Sequence, residues 1–149
     1  IHYLAEKIIP YLLEEGVGFY LRDRDLDTAS AIAQVEDYLS DPFIVANGDT
    51  ITNVDISEMI KAHQSSNSLA TIFTHDNFVH CGGTYIFNKE VLNYIPKVDN
   101  YSINRHLIPS LMKNKLKLTA FRQSYFYYDV GTREKLTSAN EKLNTLSTL

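Results

Sequence analysis

Phe43-Ile44-Val45-Ala46-Asn47-Gly48-Asp49-Thr50 joins a short apolar run to a polar turn. Four apolar residues without alternation predict a strand buried on both faces, as in a parallel sheet covered by helices. The turn then falls at the carboxyl end of that strand, where open α/β sheets collect their ligands. Just downstream, Asp55-Ile56-Ser57-Glu58 has the N-cap and N3 spacing of a capping box and predicts a helix to about His63. Just upstream, Thr28 is placed to cap a helix with Ile32, Val35 and Leu39 on one face, stopping before Pro42.

The same alternation continues to both ends. Leu4, Ile8, Tyr11 and Leu12 have helical spacing within residues 1–15, and Gly16 and Gly18 end that helix. Val17 to Leu21 reads as a short strand and Arg22-Asp23-Arg24-Asp25 as a solvated loop. Leu69 to Thr74 and Thr84 to Phe87 read as further strands, and Asn88 caps a short helix ending at Pro96. Ser102 caps the next, with Ile103, Leu107 and Leu111 as its apolar face and Pro109 interrupting it. Lys117 to Phe121 and Tyr125 to Tyr128 are β-rich, Asp129-Val130-Gly131 is a turn, and a last helix starts near Thr132. Strands alternating with helices imply a Rossmann-like three-layer α/β/α sandwich with a mainly parallel, mixed central sheet.

Composition bounds what such a domain does. The 149 residues fit one domain, and 44% hydrophobic against 21% charged residues fits a buried core better than disorder. Fourteen Lys plus Arg against eighteen Asp plus Glu leave a net charge of −4, so no basic surface is spare for nucleic acid. No apolar run approaches the roughly 20 residues of a membrane span, and no charged-then-apolar leader is expected. One cysteine, Cys81, excludes an internal disulfide framework and fits a reducing cytoplasm. A homo-oligomeric interface through the aromatic-rich strands is left open.

Two carboxylates stand where ligands collect. Asp49 follows the run Phe43 to Ala46, and Asp129 follows Tyr125 to Tyr128, each with a glycine close by (Gly48 and Gly131). If the two strands are neighbours, the carboxylates converge. Like charges about 4 Å apart repel by ~1–4 kcal/mol at effective dielectrics of 80 to 20, and a divalent cation between them reverses the sign. Mg²⁺ takes one or two carboxylates with phosphate oxygens and water, which two loop aspartates supply. The competing reading is that both simply cap turns.

The turn and its surroundings resemble the sugar-phosphate nucleotidyltransferase family. Asn47-Gly48-Asp49-Thr50 with its preceding strand is similar to that family's central motif. Leu26-Asp27-Thr28-Ala29-Ser30-Ala31-Ile32 resembles its Leu-Gly-Thr-Ala-Gly-Ala-Leu segment. Cys81-Gly82-Gly83-Thr84-Tyr85-Ile86-Phe87 resembles its Gly-Gly strand entry, and Tyr128-Asp129-Val130-Gly131-Thr132 its Asp-Ile-Gly-Thr motif. The resemblance implies a Rossmann-like domain that joins an NTP to a sugar 1-phosphate, giving an NDP-sugar and pyrophosphate. It implies Asp49 and Asp129 as Mg²⁺ ligands, and Leu26, Thr28, Ala29 and Gly48 near the nucleotide. Gly82, Gly83 and Thr84 would lie near the sugar phosphate.

The departures are specific. The family's Gly-x-Gly-Thr-Arg-Leu loop and downstream Pro-Lys have no counterpart, so no catalytic Arg or Lys is assigned. Only His75 to Cys81 fills the interval where the family carries Glu-Lys-Pro. The expectation is therefore one nucleotidyltransferase-like domain over residues 1–149, incomplete at the N-terminus and around 75–81. Asp27 stands where the family has glycine and places a negative charge near a polyanion. A non-catalytic sugar-nucleotide-binding or regulatory domain of the same fold is the alternative. His75, His80 and Cys81 lack the second ligand pair of a zinc site. His63 is expected to meet its helix's terminal carbonyls, and Tyr125, Tyr127 and Tyr128 to pack more than to stack on a base.

Overall fold

The computed structural model describes residues 1, 4–21, 25–74, 78, 81–123 and 126–146. The expected charged loop at 22–24 and the residues His75 and His80 lie outside them. Helix α1 (Ala5–Glu14) ends as its glycine demands: Gly16 takes φ +68°, and the amides of Gly16 and Val17 bond back to the carbonyls of Leu13 and Leu12. Nothing in α1 is buried. Val17 to Leu21 does not form the expected strand. Its apolar side chains are exposed, and no described strand lies beside it to complete a hydrogen-bonded ladder.

The second helix, α2 (Thr28–Ala33), is capped by Asp27 and not by Thr28: Asp27 Oδ1 accepts the Thr28 amide at 2.7 Å. The Thr28 hydroxyl instead accepts the Ile103 amide at 2.9 Å, tying α2 to the far half of the chain. Ala29 and Ser30 are buried there. The helix stops at Ala33, short of Val35 and Leu39, and a 3₁₀ turn follows over Glu36–Tyr38.

The central sheet has four described strands in the order β1 (Phe43–Ala46), β4 (Cys81–Phe87), β3 (Ala70–Thr74) and β5 (Leu118–Phe121). Strand β4 pairs antiparallel with β1 and with β3, while β3 pairs parallel with β5. Three strands thus run one way and β4 runs against them, the mixed and mainly parallel sheet that the sequence predicts. Strand β1 is at an edge of these four, so its double burial fails: Phe43 is buried but Ile44 is 46% exposed. The continuously buried strands are the inner pair, β3 and most of β4.

Side chains alternate across that inner pair and build two cores. On one face Ala70, Ile72, Tyr85 and Phe87 pack with Ile103, Leu107, Ile108 and Leu111. The last four come from a π turn (Ile103–Leu107) that leads into α4 (Ile108–Lys113), so Pro109 sits at the start of α4, where its missing N–H costs nothing. On the other face Phe73 and Ile86 pack with Met59 of α3 (Ile56–Ser66). Helices therefore cover both faces, which completes the three layers. Asp55 caps α3 as predicted, accepting the Glu58 amide at 3.0 Å. His63 departs from expectation. It is buried, with Nδ1 2.9 Å from Thr71 Oγ1 and Nε2 2.9 Å from Asn88 Oδ1, so it pins α3 to the sheet through side chains. Among the described residues, no helix is long and apolar enough to cross a membrane.

Candidate active site

A second, smaller ribbon carries the site. Strand β2 (Thr50–Thr52) leaves the polar turn after β1 and pairs antiparallel with β6 (Tyr127–Asp129), Thr50 facing Asp129 and Thr52 facing Tyr127. The Val130 amide extends the ladder to the Asp49 carbonyl at 2.8 Å, and the Phe126 amide bonds Asn53 Oδ1 at 2.9 Å. Two segments far apart in sequence are thereby locked at one register, with an aspartate at each.

The carboxylates converge over Gly131. A Cβ there would stand 3.0 Å from Asp49 Oδ2 and 3.3 Å from Asp129 Oδ1, so only glycine leaves that cradle open. Asp129 Oδ1 accepts the Gly131 amide at 2.9 Å, and Oδ2 accepts Lys135 Nζ at 2.6 Å. The Lys135 ammonium, followed by the Gly131 amide, holds the Asp129 carboxyl below the usual carboxylate range. Lys135 is raised in turn by the same bond. It belongs to the first turn of α5 (Arg133–Leu146), where its amide bonds Thr132 Oγ1 at 3.3 Å. Two hard oxygen donors flanking an open cradle suit Mg²⁺, which needs few protein ligands.

Beside this pair a cleft of about 380 Å³ opens at the carboxyl end of β1, lined by Thr28, Asn47, Gly48 and Asp49 over an apolar base that includes Val45 and Ile103. Thr28, Gly48 and Asp49 are thus brought together, although residues 28 and 49 belong to different elements. A Cβ at Gly48 would meet nothing within 4 Å, which leaves its face of the cleft to a ligand. Leu26 does not share this cleft but lines another, with Leu92 and Ile95, and Ala29 is fully buried in the core.

The glycine pair in β4 divides. Gly83, at φ +73°, lies beneath Asn47: a Cβ would stand 3.0 Å from Asn47 Nδ2, and the Gly83 carbonyl accepts the Asn47 amide at 2.8 Å. Gly82 faces inward, where a Cβ would come within 2.4 Å of the buried Phe73 ring. Thr84 is buried opposite Ala46. Asp27, read from sequence as a bare negative charge, is paired with Arg105 Nη2 at 2.6 Å. Sequence reasoning missed Asn47, Arg105 and Lys135. Of these only Lys135 had a local signal, since Thr132 predicts a helix start and places Lys135 one turn from Asp129.

Known proteins match this architecture. A family model described as nucleotidyl transferase matches residues 11–79. A glucose-1-phosphate adenylyltransferase of Clostridium acetobutylicum is 26% identical over 90% of this chain and 45% of its own length. A probable glucose-1-phosphate cytidylyltransferase of Bacillus subtilis is 24% identical over 89% of this chain and 59% of its own. The chain spans about half the length of the curated relatives it matches. The crystal structure of HddC from Yersinia pseudotuberculosis complexed with GMP-PN superposes with a TM-score of 0.76, at 24% identity, over 96% of this chain and 76% of that one.

Proposed function

We propose that this chain, which belongs with the sugar-phosphate nucleotidyltransferases, carries the metal-holding and nucleotide-facing half of a site that joins an NTP to a sugar 1-phosphate. A sugar phosphate oxygen attacks the α-phosphorus of the NTP. The bond from that phosphorus to the β-bridging oxygen breaks, and pyrophosphate leaves as the NDP-sugar forms. The observation that carries this reading is the shared ribbon: β2 and β6 set Asp49 and Asp129 around the Gly131 cradle, and Asp49 also lines the cleft with Thr28 and Gly48.

In this reading Asp49 and Asp129 hold Mg²⁺, whose charge would offset that developing on the phosphates. Thr28 and Gly48 take the nucleotide side, Thr28 held in place by its bond to Ile103 and Gly48 giving close backbone approach. The buried Leu26 and Ala29 support that segment from beneath. Gly83 and Thr84 take the sugar side next to Asn47, with Gly82 setting their level through Phe73. The described cleft lining contains no cationic side chain, so the phosphate charge falls to the metal and to cations beside it.

Pyrophosphate release, assayed with each NTP against a set of sugar 1-phosphates, tests the reading. Release that needs Mg²⁺ and disappears in Asp49→Asn is the expected result. Nucleotide-dependent stabilisation with no release would make this a binding domain, and neither effect would remove the nucleotide reading altogether.

A further inference from the structure

We propose that Lys135 is a built-in counter-ion of the Asp49–Asp129 pair, which a divalent cation must displace, so that metal binding at this site is an exchange of one cation for another. The proposal rests on the metal reading of the two aspartates.

Three observations on the ribbon support it. First, the ammonium already occupies one carboxylate of the pair: Nζ lies 2.6 Å from Asp129 Oδ2, while Asp129 Oδ1 and Asp49 Oδ2 both lie against Gly131. A divalent ion bound between them would therefore meet a positive charge within a few ångströms, and the two cations repel.

Second, the lysine can leave. Its side chain is 52% exposed, and its backbone is fixed by the Thr132 cap while four rotatable carbons separate that anchor from the charge. Exposed ion pairs are weak, so little opposes the departure. Third, neither of the other two cations on α5 has an ion pair with these carboxylates: Arg133 forms none, and Lys142 Nζ lies 5.5 Å from the Tyr128 ring centre. Removal of Lys135 should then leave the pair with two negative charges and no described lysine or arginine recorded in their place. The consequence is a site whose apparent metal affinity is set below what two bare aspartates would give, and a flexible ammonium released at the spot where phosphate oxygens would approach the metal.

The test is an Mn²⁺ titration of the purified protein and of Lys135→Met, followed by paramagnetic broadening of the Gly48, Asp49 and Gly131 amide resonances. Lys135→Met is expected to bind roughly three- to tenfold more tightly, the size of effect that one nearby exposed charge supplies, and Lys135→Arg to bind as the natural protein does. Equal or weaker binding by Lys135→Met, with the broadening still confined to those amides, overturns the exchange while leaving the aspartates as ligands. No broadening of those amides in either protein overturns the metal reading and the exchange together. A second readout uses acylation of the Lys135 amine: it is expected to speed up when Mn²⁺ binds, and an unchanged rate in the metal-bound protein counts against displacement.

Discussion

Strands β3 and β4 and the β2–β6 ribbon are built from similar residues and serve opposite ends. Every residue of β3 is buried, and so is all of β4 beyond Cys81. Every residue of β2 and β6 is only half-buried. The inner strands hold Phe73, Tyr85 and Phe87 between two helical layers, where a lost side chain leaves a cavity that close packing cannot refill. The ribbon places Tyr127, Tyr128 and two aspartates at the rim, where charge can meet a ligand at a smaller desolvation cost than in the core. Stability is thus concentrated in one part of the molecule and the proposed chemistry in another, and substitutions should separate the two.

The strongest separation is expected from Phe73. Its ring is fully buried, packed on Met59 and Ile86 and in contact range of Phe121 at 6.5 Å between ring centres. Phe73→Ala should cost about 3–5 kcal/mol of unfolding free energy, measured by urea denaturation. A cost below about 1 kcal/mol would show that Met59, Ile86 and their neighbours close over the space the ring leaves. Asp129→Asn is the mirror case. Turnover should fall about a hundredfold or more through loss of the metal ligand, while the melting temperature stays close to that of the natural protein. A variant with near-normal turnover would take Asp129 out of the site.

Much of this partition was legible in the sequence, and what was not has physical causes. The strand Phe43–Ala46, the Asp55 cap and the turn at Asp129 are all local, set by turn chemistry and capping within a few residues, and they appear at their predicted places. The candidate site was legible for the same reason, because both aspartates lie on such turns. Burial was not local. Nothing within Phe43–Ala46 says that it would stand at an edge of the described sheet, and Val17 to Leu21 has strand composition without a described partner. Partner choice was likewise hidden. Asp27 and Arg105 meet because several hydrogen bonds tie residues 27–30 to 99–103, among them the Asp27 amide to the Asp99 carbonyl and the Ile103 amide to the Thr28 hydroxyl, and His63 meets Thr71 and Asn88 because α3 lies on β3 and the end of β4.

Gly82 tests the border between the two regions. Sequence resemblance places it with the sugar phosphate, whereas its geometry places it under the Phe73 ring, where a Cβ would stand 2.4 Å from Cδ1. Gly82→Ala should destabilise by about 1–3 kcal/mol through overpacking, and Phe73→Leu in the same chain should recover part of that loss. The pair must be non-additive if the ring is the obstacle. Additive effects would return Gly82 to the ligand side.

The smallest expected effect concerns Asp27, at the junction of α2 with the site. Partial burial raises its pKa, but the Thr28 amide, the Arg105 guanidinium and the Thr28 hydroxyl together outweigh that, and the carboxyl titrates below its ordinary 3.8. A depressed carboxylate contributes stability that is fully present above the unfolded pKa and is lost as pH falls through the folded one. Asn caps helices as well as Asp does, so Asp27→Asn keeps the cap and removes only the charge. The melting temperature of the natural protein should therefore exceed that of Asp27→Asn by a constant amount from about pH 5 to 8. The gap should close below about pH 4, as Asp27 takes up its proton and Arg105 loses its partner. The absence of any gap between pH 5 and 8 would mean that the Arg105 bond contributes nothing to folding, and that Asp27 acts through its cap alone.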